Sequence, residues 1–216
     1  MNFELVNRPS NDFYEKMYEE IKRFMESNVY LKDINLKIDN TRGVSSVISE
    51  NPKYGLVDIF VVDNVFKYNI KNIEIIQLEN IDVDVLDMFM DRYYKYFKSL
   101  MIPFVPETIT LMVMLHEIGH ITHYERMNDC IENKKSVMEF DRAMNHLSLS
   151  VFRQWDYDYV SNVSINMISD LTEVFAEGFS YRYFSLFKPL IDTFNFKCQG
   201  LEVRRLIEKS KKYVID

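Results

Sequence analysis

Two histidines four residues apart carry the most chemical information in this chain. They belong to the sequence His116-Glu117-Ile118-Gly119-His120, within a stretch whose apolar pattern predicts a helix. Positions i and i+4 lie one turn apart on one helical face, so both imidazoles can reach the same ion. Glu117 points toward the same opening, where it can take a proton from metal-held water. The motif predicts hydrolysis at a bound Zn²⁺ ion, with a metal-free amphipathic helix as the alternative.

A third protein ligand is needed, because a catalytic zinc is held by three side chains and keeps an open position for water. His123 is nearby in sequence, but an unbroken helix separates it from His116 by about 10 Å along the axis. A zinc–nitrogen bond is only about 2 Å long. Residues 121–125 contain no glycine or proline that would break the helix. We therefore expect His123 to line a cleft or cap the helix.

A second predicted helix offers carboxylates for the site. Glu173 and Glu177 are four residues apart and share a face, with the small residues Ala176 and Gly178 beside them. Small residues would let this helix approach the histidine helix closely. Glu173 is the preferred third ligand, and Glu177 can accept the other ring N–H of a ligating histidine and so fix its tautomer. A solvated charged face is the alternative for both glutamates.

Other residues compete for roles at this site. His146 is the second choice for the third ligand, and Asp170 the next. Peptide hydrolysis also requires a donor to the oxyanion that develops on the carbonyl. Tyr181 lies one turn beyond Glu177 on the same face, so we choose it as the candidate donor. Packing in the core is its alternative role, in a chain with 14 tyrosines.

The order of these residues resembles a known enzyme class. His116-Glu117-x-x-His120, followed by Glu173-x-x-Ala176-Glu177-x-Phe179, resembles the gluzincin branch of zinc metallopeptidases. The E-x-x-A-x-x-F element, with a further histidine after the first motif, looks most like the ImmA/IrrE-type peptidase family. The resemblance covers about a third of the chain. The resemblance implies a zincin-like fold with the HExxH helix in the core, and a protein or peptide substrate. It also implies that Zn²⁺ is bound by the downstream glutamate, Glu173. The residue four positions later, Glu177, would contact a zinc ligand and not the ion itself.

Two further functional hypotheses stay open. One is a non-enzymatic regulatory or interaction protein that keeps a gluzincin-like metal-binding scaffold. The other is a zinc-dependent hydrolase whose substrate is not a peptide. Neither the oligomeric state nor the cleavage specificity follows from the sequence.

Composition narrows the classes of protein. The chain has 216 residues, of which 47% are hydrophobic and 27% charged, and this is typical of one globular domain, 1–216. A net charge of -7 argues against nucleic acid as a partner. Cys130 and Cys198 make no C-x-x-C site, so we expect free thiols in a reducing compartment. Neither a signal peptide nor an apolar run of membrane-spanning length is seen, which favours a cytoplasmic protein without a membrane partner.

Hydrophobic periodicity predicts an α+β fold in two regions. Residues 1–81 should contain a helix at 11–28, capped by Asn11 or Asp12, and a small antiparallel sheet. The predicted strands are 34–38, 56–62 and 73–78, joined by turns at 40–43 and 51–55. We expect strand 73–78 to bind an extended substrate, which would add to the edge of the sheet as a further strand.

Residues 82–216 should form a helical lobe that carries the metal site. Pro106 or Glu107 opens the motif helix, since proline suits the first helical turn. Residues 108–115 are almost continuously apolar, so this helix should be buried along most of its length. The other predicted helices are 84–100, 135–153, 162–187 and 201–213.

Overall fold

Five strands and five helices form the described region of this α+β protein. The computed structural model describes residues 2–40, 58–62, 65–69, 72–76, 79, 89, 93–132 and 171–196. The strands are β1 (Phe3–Leu5), β2 (Asn35–Asp39), β3 (Asp58–Val62), β4 (Val65–Asn69) and β5 (Asn72–Ile76). The helices are α1 (Asp12–Ser27), α2 (93–99), α3 (Pro106–Glu132), α4 (Leu171–Phe184) and α5 (Lys188–Asp192), with a 3₁₀ turn, Ser185–Phe187, between the last two.

Helix α1 forms where its cap and its apolar period predict it. The side-chain Oδ1 of Asn11 accepts hydrogen bonds from the backbone N–H groups of Phe13, at 3.0 Å, and Tyr14, at 3.1 Å. These bonds satisfy donors that the first helical turn leaves without a partner. The buried residues recur every three or four positions and face the core: Phe13, Tyr14, Met17, Tyr18, Ile21 and Met25. The predicted helix 11–28 and its Asn11 cap are confirmed.

The main sheet runs in the order β1-β2-β5, and both of its strand pairs are parallel. Leu36 of β2 lies between Phe3 of β1 and Ile73 of β5. Leu36 and Ile38 are buried and alternate with more exposed neighbours, as a strand with one face on the core requires. The chain passes from β1 to β2 through α1, and a helical crossover of this kind connects parallel neighbours.

The predicted antiparallel arrangement is wrong for this sheet. That prediction assumed that strands adjacent in sequence pair through short turns. Strands β1 and β4 were not predicted, and β2 and β5 are not consecutive in the chain, because β3 and β4 lie between them and form a separate two-stranded sheet. In the described region only that pair is antiparallel, with Val62 opposite Val65.

Helix α3 carries the histidine motif and begins at Pro106, as predicted. The hydroxyl of Thr108 accepts a hydrogen bond from the N–H of Val105 at 3.2 Å, which completes the start of the helix. The prediction that residues 108–115 are buried is confirmed for all but half-buried Val113. Ile109, Leu111 and Leu115 have no exposed surface. The motif therefore stands on a helix that is anchored in the core.

Helices α2 and α4 lie within predicted segments, whereas α5 was not predicted. Helix α2 covers the C-terminal end of predicted helix 84–100, and Met101 follows it with a φ of 55°. Predicted helix 162–187 is described from Leu171, and it tightens to a 3₁₀ turn after Phe184. In the described region of the chain, no helix has the length and apolar character that crossing a membrane requires.

Several predictions fall outside the described residues. They are the turn 51–55, residues 41–43 of the first turn, helices 135–153 and 201–213, His146, Asp170 and Cys198. The side chains of Cys130 and Glu173 are also outside the described set, although both residues belong to described helices.

Candidate metal centre

Helices α3 and α4 cross with their backbones in close contact at Gly119, the glycine of the histidine motif. A Cβ atom at Gly119 would lie 2.7 Å from the Cα and 2.9 Å from the carbonyl oxygen of Ala176. It would also lie 3.0 Å from the Cβ of Phe179. Only a residue without a side chain fits there. The prediction that small residues allow a close approach is confirmed at Ala176, and the crossing brings the Glu177 turn beside the histidine turn.

The two motif histidines converge on one point. Their Nε2 atoms are 3.1 Å apart, and the rings meet almost edge to face, with centroids separated by 4.8 Å and an interplanar angle of 86°. His116 is buried, with 9% of its surface exposed, whereas His120 is half-buried. The pair therefore stands at the boundary between the core and the surface, as an accessible site requires.

Glu177 holds the inner histidine from the other side. Its Oε2 atom lies 3.1 Å from the Nδ1 of His116. The same oxygen accepts a hydrogen bond from the hydroxyl of Tyr93, also at 3.1 Å. Glu177 is only 7% exposed and Tyr93 1%. The buried carboxylate is thus paired with two donors from two different helices, which excludes a solvated charged face for Glu177.

This contact determines what the inner ring can offer. A carboxylate only accepts, so Nδ1 of His116 is the donor. In the neutral ring, Nε2 then carries a lone pair aimed toward His120. Two nitrogens bound to one tetrahedral zinc at about 2.0–2.1 Å are separated by about 3.3 Å. The observed 3.1 Å is close to that value. The donor set therefore fits a divalent cation with little movement.

The other predicted site residues are placed as follows. Glu117 follows His116 on α3 and is half-buried. Glu173 is on α4, one turn before Glu177, and its side chain lies outside the described set. Among the side chains that the structure describes, no group of three His, Cys, Asp or Glu residues that could hold a metal is found. The third ligand therefore stays a prediction.

Tyr181 contributes its ring to an aromatic cluster. It packs edge to face on Tyr96, with centroids 4.7 Å apart, and on Tyr93, at 5.8 Å. Its backbone carbonyl accepts a hydrogen bond from the Tyr96 hydroxyl. Tyr181 is 8% exposed. Tyr181 therefore packs in the core, and its role as hydrogen-bond donor to the oxyanion stays a prediction.

His123 does not line a cleft, so that prediction is wrong. It is 2% exposed, and its ring lies against Phe175 of α4 with centroids 5.2 Å apart. It cannot cap α3 either, because the helix continues unbroken to Glu132. The unbroken helix agrees with its separation from the pair of His116 and His120.

Tyr93 is the site residue that sequence reasoning missed. It is 84 positions from Glu177 in the chain, and nothing in its own segment distinguishes it from the other tyrosines. Its neighbours Phe89 and Phe97 predict only a buried helical face. The tyrosine joins the site because α2 packs against α4, which a local pattern does not reveal.

No family model, no curated protein and no solved structure matches this chain.

Proposed function

We propose that this protein is a zinc-dependent metallopeptidase with a zincin-like fold. His116, His120 and Glu173 hold the ion, and Glu117 is the general base. The observation that carries the proposal is the convergence of the two Nε2 atoms at 3.1 Å while Glu177 occupies the Nδ1 side of the inner ring. A metal site needs two nitrogens aimed at one point and a partner that fixes the orientation of the ligating ring, and both features are present here.

The residues of the chain divide the work of hydrolysis. His116, His120 and Glu173 would hold a zinc ion, which would supply Lewis acidity and would lower the pKa of bound water toward about 7. Glu117 accepts the proton of the attacking water and passes it to the leaving amine. Glu177 keeps the His116 ring oriented, and Tyr93 keeps Glu177 in place. Tyr181 is the proposed donor to the oxyanion.

Strand β5 gives the proposal a place for an extended substrate. It pairs with β2 on one side and ends the strand order of the sheet in the described region of the chain. A peptide that adds to such an edge gains main-chain hydrogen bonds, and these do not depend on its side chains. This binding mode suits a protease that acts on unfolded segments.

Two measurements on the full-length protein test the proposal. The first is the zinc content of purified protein, for which we expect one ion per chain. The second is cleavage of an unstructured protein by wild type and by Glu117→Gln. We expect the variant to retain zinc and to lose at least a hundredfold in rate, since general base catalysis contributes about 10²–10⁴-fold. Glu107→Gln is the matched control, because it removes the same charge from the first turn of α3.

Each result bears on a different hypothesis. Equal cleavage by wild type and Glu117→Gln would falsify the role of Glu117. Zinc bound at one ion per chain, without cleavage by either protein, would favour the regulatory scaffold or a hydrolase whose substrate is not a peptide. Protein that binds no zinc would rule out the metal site.

A further inference from the structure

A pocket of about 220 Å³ lies between α3, α4 and the segment that follows α1. Thr122 lines it, and this residue is two positions beyond His120. Two residues rotate the helix by about 200°, so the pocket opens on a different face of α3 from the histidine pair. It is therefore separate from the candidate metal centre.

Two arginines line this pocket, one from each of the two long helices. Arg126 belongs to α3 and Arg182 to α4. None of the described residues that line the pocket is an aspartate or a glutamate. Two arginines that line one small pocket make its lining positive, in a chain whose net charge is -7. An anion that binds there would gain Coulomb attraction from both side chains.

Aromatic rings hold the guanidinium of Arg126 in place. It lies 5.6 Å from the centroid of the Tyr30 ring and 5.8 Å from that of Phe175. Contacts of this kind fix the planar group while its N–H donors remain available at its edge. Arg182 is exposed and lies over the ring of Tyr183 at 5.6 Å. The guanidinium of Arg126 is thus partly ordered before any ligand arrives, which lowers the entropic cost of binding.

We propose that this pocket binds an oxyanion, the phosphate or carboxylate group of a small ligand, between Arg126 and Arg182. Guanidinium groups match both anions with paired hydrogen bonds. The volume is smaller than the roughly 300–1,000 Å³ of pockets that enclose drug-sized ligands. The site therefore takes a small anion, or the charged end of a larger molecule. This site goes beyond the proposed peptidase function and does not depend on it.

Calorimetric titration of the full-length, metal-free protein tests this site. Inorganic phosphate and succinate are the two probes, and removal of metal prevents either anion from binding at the histidines. We expect saturable binding of at least one probe at one site per chain. Arg126→Gln and Arg182→Gln should each weaken it about tenfold or more, because a hydrogen bond to a charged group contributes on that order.

Arg23→Gln is the matched control. Arg23 is exposed on α1, pairs with Glu19 and Glu20, and loses the same charge on substitution. Binding of phosphate alone supports the site and identifies its ligand as a phosphate. Binding of succinate alone supports the site and identifies its ligand as a carboxylate. Binding of neither probe overturns the proposal, as does equal weakening by Arg23→Gln. If Arg126→Gln does not fold, the test depends on Arg182→Gln, because the side chain of Arg182 is exposed.

Discussion

Replacing Gly119 by alanine tests the helix crossing on which the metal centre depends. The new Cβ would lie 2.7 Å from the Cα of Ala176, whereas ordinary contact begins at 3.4 Å. The helices must therefore separate locally by about 0.7 Å, the difference between these two distances. The atoms in the way belong mainly to the α4 backbone, so a change of side-chain rotamer cannot relieve the contact.

Two opposing effects determine the size of the change. Alanine is favoured over glycine in a helix by about 1 kcal/mol. Overpacking of a core costs about 1–3 kcal/mol, and we take about 2 kcal/mol, the middle of that range. The separation also stretches the bond of 3.1 Å between His116 and Glu177, at a further cost of about 1 kcal/mol. We expect the overpacking to dominate, with a net loss of about 2 kcal/mol.

Urea denaturation and thermal melting measure this loss. For a protein of this length, a loss of about 2 kcal/mol lowers the melting temperature by about 4–8 °C. Zinc affinity, measured by competition with a chromogenic chelator, should fall as well, because Glu177 no longer orients His116. A Gly119→Ala variant that is about 1 kcal/mol more stable than wild type would show only helix propensity. That result would refute the close crossing.

Three further predictions test the site and the fold. Glu177→Gln keeps the shape of the side chain but removes the charge between His116 and Tyr93, so zinc affinity should fall about 10–100-fold in chelator competition. Tyr93→Phe should have a smaller effect, and wild-type affinity in Glu177→Gln would contradict the orienting role. Asn11→Ala removes two capping hydrogen bonds and should cost about 1 kcal/mol in urea denaturation; an unchanged midpoint would argue against the cap. Burial raises the pKa of Tyr96 from 10.0 to about 12, so the folded chain keeps a proton that the unfolded chain loses in this range. The stabilisation from Tyr96 is complete below pH 10.0 and is lost as the pH rises toward about 12, so Tyr96→Phe should lose less stability over this interval than wild type. Equal slopes of stability against pH would count against this assignment.

Local signals predicted where α1 and α3 begin. Asn11 and the apolar period after it predicted α1, and Pro106 predicted the start of α3, because caps and periodicity act within a few residues. The same spacing predicted which histidines share a face and which one is too far along the helix. By contrast, the direction of the main sheet was mispredicted, since strand pairing depends on which distant segments meet.

Packing between distant segments also decided where some single side chains lie. His123 was expected to line a cleft or cap the helix, but packing of α4 against α3 buries it against Phe175. Nothing in the sequence predicted that Arg126 and Arg182 line one pocket, because they belong to helices that are far apart in the chain.

The amino-acid sequence alone determined the His116–His120 pair, because a helical repeat of 3.6 residues decides which neighbours share a face. It also indicated that a small residue such as Ala176 lets a second helix approach. Only the tertiary structure brought Tyr93 to Glu177, since no local interaction joins α2 to α4, whereas the contact of Glu177 with a motif histidine was expected from the sequence. Five consecutive residues, 116–120, carry the reactive groups of the site, whereas the contacts that orient these groups come from packing between distant segments of the core.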